Sequence, residues 1–377
     1  MKTETLTPQP PSLDLNSRPR GIYGLLGNQP ISAAAIAVCF TVLLLMPWLH
    51  LLPSDSSFYL SAYWVTLIGK IMCLALVALA LDLVWGYAGI LSLGHGLYFA
   101  LGGYAFGMYL MRESAGNDLP DFMRFLSWNE LPWYWVGTEY IAWALLLVVL
   151  VPGLVAFIFG YFAFRSKIKG VYFSIITQAM TFAAALLFFR NETGFGGNNG
   201  FTGFSTILGM DISSAPMRAS LCFLTALLLL LCFIGLRHLM NQPYGRVLGA
   251  IRDSENRLQY LGYRTLWYKL SAWVLSAVIA GIAGALYVPQ AGIINPSEMN
   301  PVNSIEMAVW VAAGGRGTLI GPILGAGLIN GVKTYFTVAA PEFWLLILGA
   351  LFIVVTLFLP KGVIGLLDRF KKNKEDV

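Results

Sequence analysis

The chain has 377 residues, of which 57% are hydrophobic and only 11% charged, with a mean hydropathy of +0.70 and a formal net charge of +5. Soluble globular chains carry about 25% charged residues, so a water-soluble fold of this length is excluded and a polytopic membrane protein is implied. The basic excess sits in short loops and tails, where it sets membrane orientation, and does not indicate nucleic-acid binding.

Four cysteines lie inside apolar runs and three histidines are scattered, a pattern that suggests neither a disulfide framework nor a metal site. Residues 1–28 are polar and contain prolines, as expected of a flexible cytoplasmic tail rather than a signal peptide. Crossing the hydrocarbon takes about 20 apolar residues. Candidate spans are 31–52, 58–81, 89–111, 140–164, 171–189, 217–239, 270–288 and 340–360. The stretch 304–336 is broken at Gly314-Gly315-Arg316-Gly317 and reads as a short segment, 304–314, followed by a longer one, 318–336. The expected fold is therefore all-α, with about ten transmembrane or half-membrane helices. The expected domains are the 1–28 tail, a permease domain over 29–361 containing a cytoplasmic loop at 240–269, and a basic C-terminal tail at 362–377.

Charge tests the orientation. The 1–30 tail, the 165–169 and 240–269 loops and the C-terminal tail carry the basic residues. Loop 112–139 holds five carboxylates against two basic residues. Ten crossings place both termini in the cytoplasm and loops 112–139 and 190–216 outside. Two glycine-rich segments, from Gly86 to Gly103 and from Gly314 to Gly327, then open at the cytoplasmic face in the same direction and resemble a weak repeat. Glycine and proline interruptions in matching positions mark a transport path in membrane carriers.

Ionisable residues in the spans are few: Lys70, Asp82, His95, Glu306, Arg316 and Lys333. Each is costly in lipid and is expected to face protein or water. Asp82 falls near the inner boundary, where an interfacial position suffices. Ser92, His95 and Tyr98 form one polar stripe on the third span, and Thr177, Gln178 and Thr181 form another on the fifth. Either stripe can line a pathway, and a buried structural histidine accounts equally for His95. Glu306 reads as a substrate contact or as a helix cap after Asn303-Ser304. The Gly- and Asn-rich loop around Asn198 and Asn199 can present amides to a small polar solute or serve as a flexible outer turn. No chain of carboxylates and histidines crosses the membrane, so coupling to a proton or sodium gradient is disfavoured.

Gly331-Val-Lys333-Thr334 lacks the spacing of a phosphate-binding loop, and Gly194-Phe-Gly196-Gly-Asn-Asn199 lacks the third glycine of a dinucleotide fingerprint. The chain is thus expected to be no enzyme and to hold no cofactor, so any ATP is used by separate subunits. The 244–263 segment, YGRVLGAIRDSENRLQYLGY, places Val247, Ile251, Leu258 and Leu261 at helical spacing, with Arg252, Asp253, Glu255 and Arg257 on other faces. A basic amphipathic helix can lie on lipid, but anionic lipid would repel Asp253 and Glu255. Docking into a groove of a soluble protein is the expectation.

PYGRVLGAIRDSENRLQYLGYRTLWYKL (243–270), SAVIAGIAGALY (276–287), GILSLGHGLYFALGGYA (89–105) and GGRGTLIGPILGA (314–326) resemble the LivM-type permeases of branched-chain amino acid ABC transporters. Within that family, FFRNETGFGGNNGFTGF (188–204) and NELPWYW (129–135) are similar to its urea-transport branch. The resemblance implies a bacterial inner-membrane importer. Its other parts would be a homologous second permease, two cytoplasmic ATP-binding subunits and a periplasmic solute-binding protein. Arg246, Ile251, Arg252, Asp253, Glu255, Arg257 and Leu258 would then form the coupling helix. Ser92, His95, Tyr98, Thr177, Gln178 and Glu306 would line a path for urea. Import of branched-chain amino acids or short amides, and a stand-alone urea or ammonia channel, are the alternatives.

Overall fold

The computed structural model describes residues 30–116, 118–339 and 341–343, with short pieces at 346, 349–350, 353 and 362–365. The expected 1–28 tail, most of the 340–360 span and most of the basic C-terminal tail lie outside the described residues. Within them the chain is a helical bundle of α1 (Pro30–Leu45), α2 (Ala62–Asp82), α3 (His95–Ala115), the short α4 (Asp121–Phe125), α5 (Ile141–Arg165), α6 (Val171–Phe188) and α7 (Ala215–Asn241). The remaining helices are α8 (Pro243–Tyr260), α9 (Thr265–Ala291), α10 (Pro301–Gly314) and α11 (Ile320–Ala339). Among the described residues six segments are long and apolar enough to cross a membrane: Ala33–Leu51, Ala62–Tyr87, Ile141–Arg165, Val171–Phe188, Ala215–Asn241 and Thr265–Ala291.

Burial sorts these helices into centre and rim. The apolar windows of α2 and α9 are 72% and 67% buried, whereas those of α1 and α5 are 17% and 28% buried, leaving the latter two to face lipid. The centre is packed through glycine. On α3 and α9 the pairs Gly102–Gly281, Phe99–Gly284 and Gly103–Val288 lie in contact, and the progression from His95–Ser276 to Gly103–Val288 shows that the two helices run side by side in the same direction. A Cβ on Gly102 would strike the Gly281 carbonyl, and one on Gly284 would strike the Phe99 carbonyl. Small residues allow this backbone approach, and dispersion then holds helices that gain no hydrophobic energy from leaving lipid.

The break expected at Gly314–Gly317 is present. α10 and α11 form an antiparallel hairpin, with Glu306 against Lys333, Trp310 against Gly325 and Gly314 against Gly321. At 14 residues α10 is about 21 Å long, short of the roughly 30 Å of hydrocarbon. It starts inside the bundle because the chain before it dives. Ile294 packs on Gly103 and Gly107 of α3, while Glu298 and Met299 lie at Gly96. The chain turns there in a 3-10 helix, Pro296–Met299, capped by the Asn295 side chain.

A second irregular stretch corrects the expected 89–111 span. α2 ends in a π-helical turn (Leu83–Tyr87), residues 88–94 are non-helical, and α3 begins only at His95. Ser92 therefore precedes the helix that was expected to carry it. The loops opposite α8 are ordered. β1 (Phe201–Thr202) pairs antiparallel with β4 (Ile293–Ile294), and β2 (Thr206–Ile207) pairs with β3 (Met210–Asp211). Phe201 is fully buried against Tyr104, Phe122 and Trp135. The flexible-turn reading of 190–203 does not survive this packing.

Candidate transport path and coupling helix

Non-helical backbone at membrane depth needs partners inside the protein. For residues 88–94 they come from α6. Ser174 Oγ donates to the Leu91 carbonyl at 2.8 Å, and Thr177 Oγ1 accepts from the Leu93 amide at 3.1 Å. Thr177 and Thr181 are fully buried, whereas Gln178, next along the helix, is half-buried. Of the expected Thr177–Gln178–Thr181 stripe, the two threonines are spent on hydrogen bonds within the bundle.

His95 is sealed in. Ser276 Oγ donates to the Ala80 carbonyl and therefore accepts from His95 Nε2, at 2.7 Å; Ser92 Oγ lies 3.0 Å from Nδ1. Tyr98 and Trp273 close edge-on against the imidazole, with ring centroids 5.9 and 5.7 Å away. Ser92, His95 and Tyr98 are each at most 1% exposed. They come together as expected, but as a hydrogen-bonded plug joining α2, α3 and α9, not as the wall of an open lumen. Ser276, which completes the plug, carried no sequence signal beyond its place among small residues.

Glu306 is not a cap: Asn300 Oδ1 accepts from the Val302 amide and caps α10 instead. Both Glu306 oxygens accept from Lys333 Nζ, each at 2.9 Å, so the carboxylate ties α10 to α11. Asn198 and Asn199 are exposed in a 3-10 turn at the end opposite α8. The neighbouring 129–135 segment touches their loop, with Tyr134 Oη donating to the Thr193 carbonyl at 2.6 Å.

α8 is amphipathic as expected, with Leu248, Ile251 and Leu258 buried against Ala88 and Ala272. Its chain is extended at Ser254 (φ −163°, ψ 88°), which divides it into two helical pieces, 243–253 and 255–260. Arg246, Asp253 and Arg257 are exposed, as a docking surface requires. Two residues depart from expectation. Leu261 follows the last helical turn and is 76% exposed. Glu255 points inward: its carboxylate accepts from Lys269 at 2.7 Å, Lys169 at 2.8 Å and Thr265 Oγ1 at 2.9 Å. Burial raises the Glu255 carboxyl, but the two ammonium groups and the hydroxyl outweigh it and hold the group at about 2. Within the second piece Glu255 lies three residues before the buried Leu258, on the same side. Arg252 also turns toward the bundle, with Nη1 donating to the Gly86 carbonyl at 2.9 Å. Beneath α8 a cavity of about 310 Å³ is lined by Gly89, Leu91, Phe173, Lys169, Arg252 and Glu255, among others.

Asp82, expected at the interface, is fully buried. Its carboxylate accepts from the Gly317 amide at 2.6 Å and the Leu319 amide at 3.1 Å, in the turn between α10 and α11.

Apolar crossing helices, two irregular stretches held at membrane depth and an amphipathic helix laid across one end define a multi-pass membrane permease. The chain belongs to the family of branched-chain amino acid transport system permease components, whose pattern it matches over residues 63–356. It is similar to the high-affinity branched-chain amino acid transport permease LivM of Salmonella typhimurium, 26% identical over 78% of this chain and 68% of the relative. LivM of Methanocaldococcus jannaschii is 25% identical over 56% of this chain and 63% of its own length. The autoinducer 2 import permease LsrC of Yersinia pseudotuberculosis is 31% identical over 32% of this chain and 35% of its own. No solved structure matches. As an ABC-type permease of the inner membrane, the chain is not an enzyme, and it works with ATPase and solute-binding subunits.

Proposed function

We propose that this chain forms half of the translocation pathway of a bacterial importer for urea, with a homologous permease as the other half. In this reading the α8 end faces the cytoplasm, where two ATP-binding subunits seat α8. The opposite end receives a periplasmic binding protein on loops 112–139 and 190–216. The observation that carries the importer reading is α8 itself: its apolar face is buried on the bundle, while Arg246, Asp253 and Arg257 remain exposed. Exposed charges of both signs suit a protein groove better than anionic lipid.

Urea is supported by the likeness of 188–204 and 129–135 to the urea-transport branch. Those two segments touch through Tyr134 and Thr193 and form one surface. A second reading, import of branched-chain amino acids, draws on the LivM relatives and on the cavity beneath α8, where Lys169, Arg252 and Asp253 stand beside Phe164, Phe173 and Ile168. Uptake by proteoliposomes holding the complete transporter separates them. Urea uptake in preference to leucine is expected, and leucine preference would replace the substrate while leaving the importer standing. ATP-independent flux through this chain alone would favour a channel.

A further inference from the structure

Four structural elements converge at the α8 end of the bundle. The first is the Gly315–Leu319 turn between α10 and α11, whose Gly317 and Leu319 amides are held by Asp82. The second is the π-helical turn after Asp82, which the same carboxylate anchors because Asp82 immediately precedes it. The third is α8, whose Arg252 donates to the Gly86 carbonyl and lays its aliphatic stem against Gly89. A Cβ placed on Gly317 would lie 3.9 Å from Arg252 Nη1, so the guanidinium reaches both turns. The fourth is the 362–365 piece, where Gly362 packs on Gly314 and Gly315. Arg316 adds a contact between the two turns, with its guanidinium 5.7 Å from the centre of the Trp85 ring.

The contact leaves no slack. A Cβ at Gly86 would collide with the Gly317 backbone and the Asp82 carboxylate. A buried carboxylate accepting two backbone amides is a strong, directional clamp, and its alternative, an unpaired charge among apolar groups, is costly. Beyond the clamp lies α10, the short helix whose far end follows the 3-10 turn at Pro296–Met299, where Glu298 and Met299 lie against Gly96. A rigid helix fixed at one end to α8 and reaching mid-bundle at the other carries displacement from one place to the other.

We propose that Asp82 is a positioning residue for transport: it locks the α10–α11 turn to the π-helical turn that Arg252 grips, so that α8 and α10 move as one body. This rests on the coupling-helix reading above and adds the route by which α8's motion reaches the path. Asp82 touches no solute and acts through Gly317, Leu319 and, by way of the π-helical turn, Arg252.

The test uses the complete transporter in proteoliposomes, reading solute uptake and ATP hydrolysis together as ATP consumed per solute moved. Losing the charge-assisted hydrogen bonds of Asp82→Asn is expected to raise that ratio about tenfold. Arg252→Lys, which keeps the charge but shortens the reach to Gly86, is expected to raise it in the same direction. Because the two residues act in series, the double variant should be no worse than the worse single one. A merely structural role would lower the yield of assembled transporter and leave the ratio alone. Should Asp82→Asn fail to assemble, Arg252→Lys, on a surface helix, decides alone. An unchanged ratio in assembled Asp82→Asn or in Arg252→Lys overturns the proposal. Failure of the coupling reading shows separately, as loss of this chain's association with the ATPase subunits in the unsubstituted complex.

Discussion

Replacing Glu255 by Gln keeps the shape of the side chain and removes its charge. Lys269, only 6% exposed, then loses its counter-ion at 2.7 Å, while Lys169, 48% exposed, loses a partner that water can replace. The first loss costs about 2 kcal/mol, as for a hydrogen bond to a charged group, and the second under about 1 kcal/mol. With an unfolding entropy of about 2.1 cal/mol/K per residue, a chain of this size should melt about 3 °C lower. The pH dependence follows from the direction of the shift. A carboxyl held at about 2, below its ordinary 4.5, stabilises the fold fully above pH 4.5 and loses that contribution as pH falls toward 2. The gap between the parent and Glu255→Gln should therefore be constant from pH 5 to 8 and close below about 4.5. Thermal melts of the purified chain in detergent across that range measure it. Equal melting at pH 7, or a gap that widens on acidification, refutes the assignment of Glu255 to an internal ion cluster.

Lys333→Met should destabilise the chain by about 3–5 kcal/mol by leaving Glu306 buried and unpaired, and adding Glu306→Gln should restore most of the loss in the same melts. Gly284→Leu, which drives a side chain into the Phe99 carbonyl, should abolish accumulation of folded chain in membranes, whereas Gly327→Ala, with open space around its Cβ position, should not. Reversing the exposed charges together, Asp253→Lys with Arg257→Glu, should lower retention of the ATPase subunits on purification while leaving the melting temperature within about 1 °C, because neither residue packs in the core.

Long apolar runs made the bundle legible, since a span needs little beyond length and composition to be recognised. The glycine break at 314–317 was equally plain, because four residues without good helix propensity interrupt an apolar stretch too long for one crossing. Depth was not legible. Residues 88–94 and 294–300 are as apolar or glycine-rich as their neighbours, and only the fold shows that α6 satisfies the first and that β1 and a local 3-10 turn satisfy the second. The Ser92–His95–Tyr98 stripe was drawn on a helix that starts three residues later, so its members meet by folding back, not by helical spacing. Glu255 escapes the sequence for a different reason: the extended Ser254 just before it breaks the helical spacing and turns the carboxylate inward. Asp82 was visible as the lone carboxylate of an apolar run. Its partners are backbone amides more than 230 residues away, for which side-chain patterns hold no record.

The central claim is that α8 is gripped by an ATPase subunit. Photocrosslinking from position 257, in membranes holding every subunit of the transporter, tests it most directly. An adduct with an ATP-binding subunit that grows or shrinks when ATP is added is expected. Adducts with phospholipid alone, whatever the nucleotide, would contradict it.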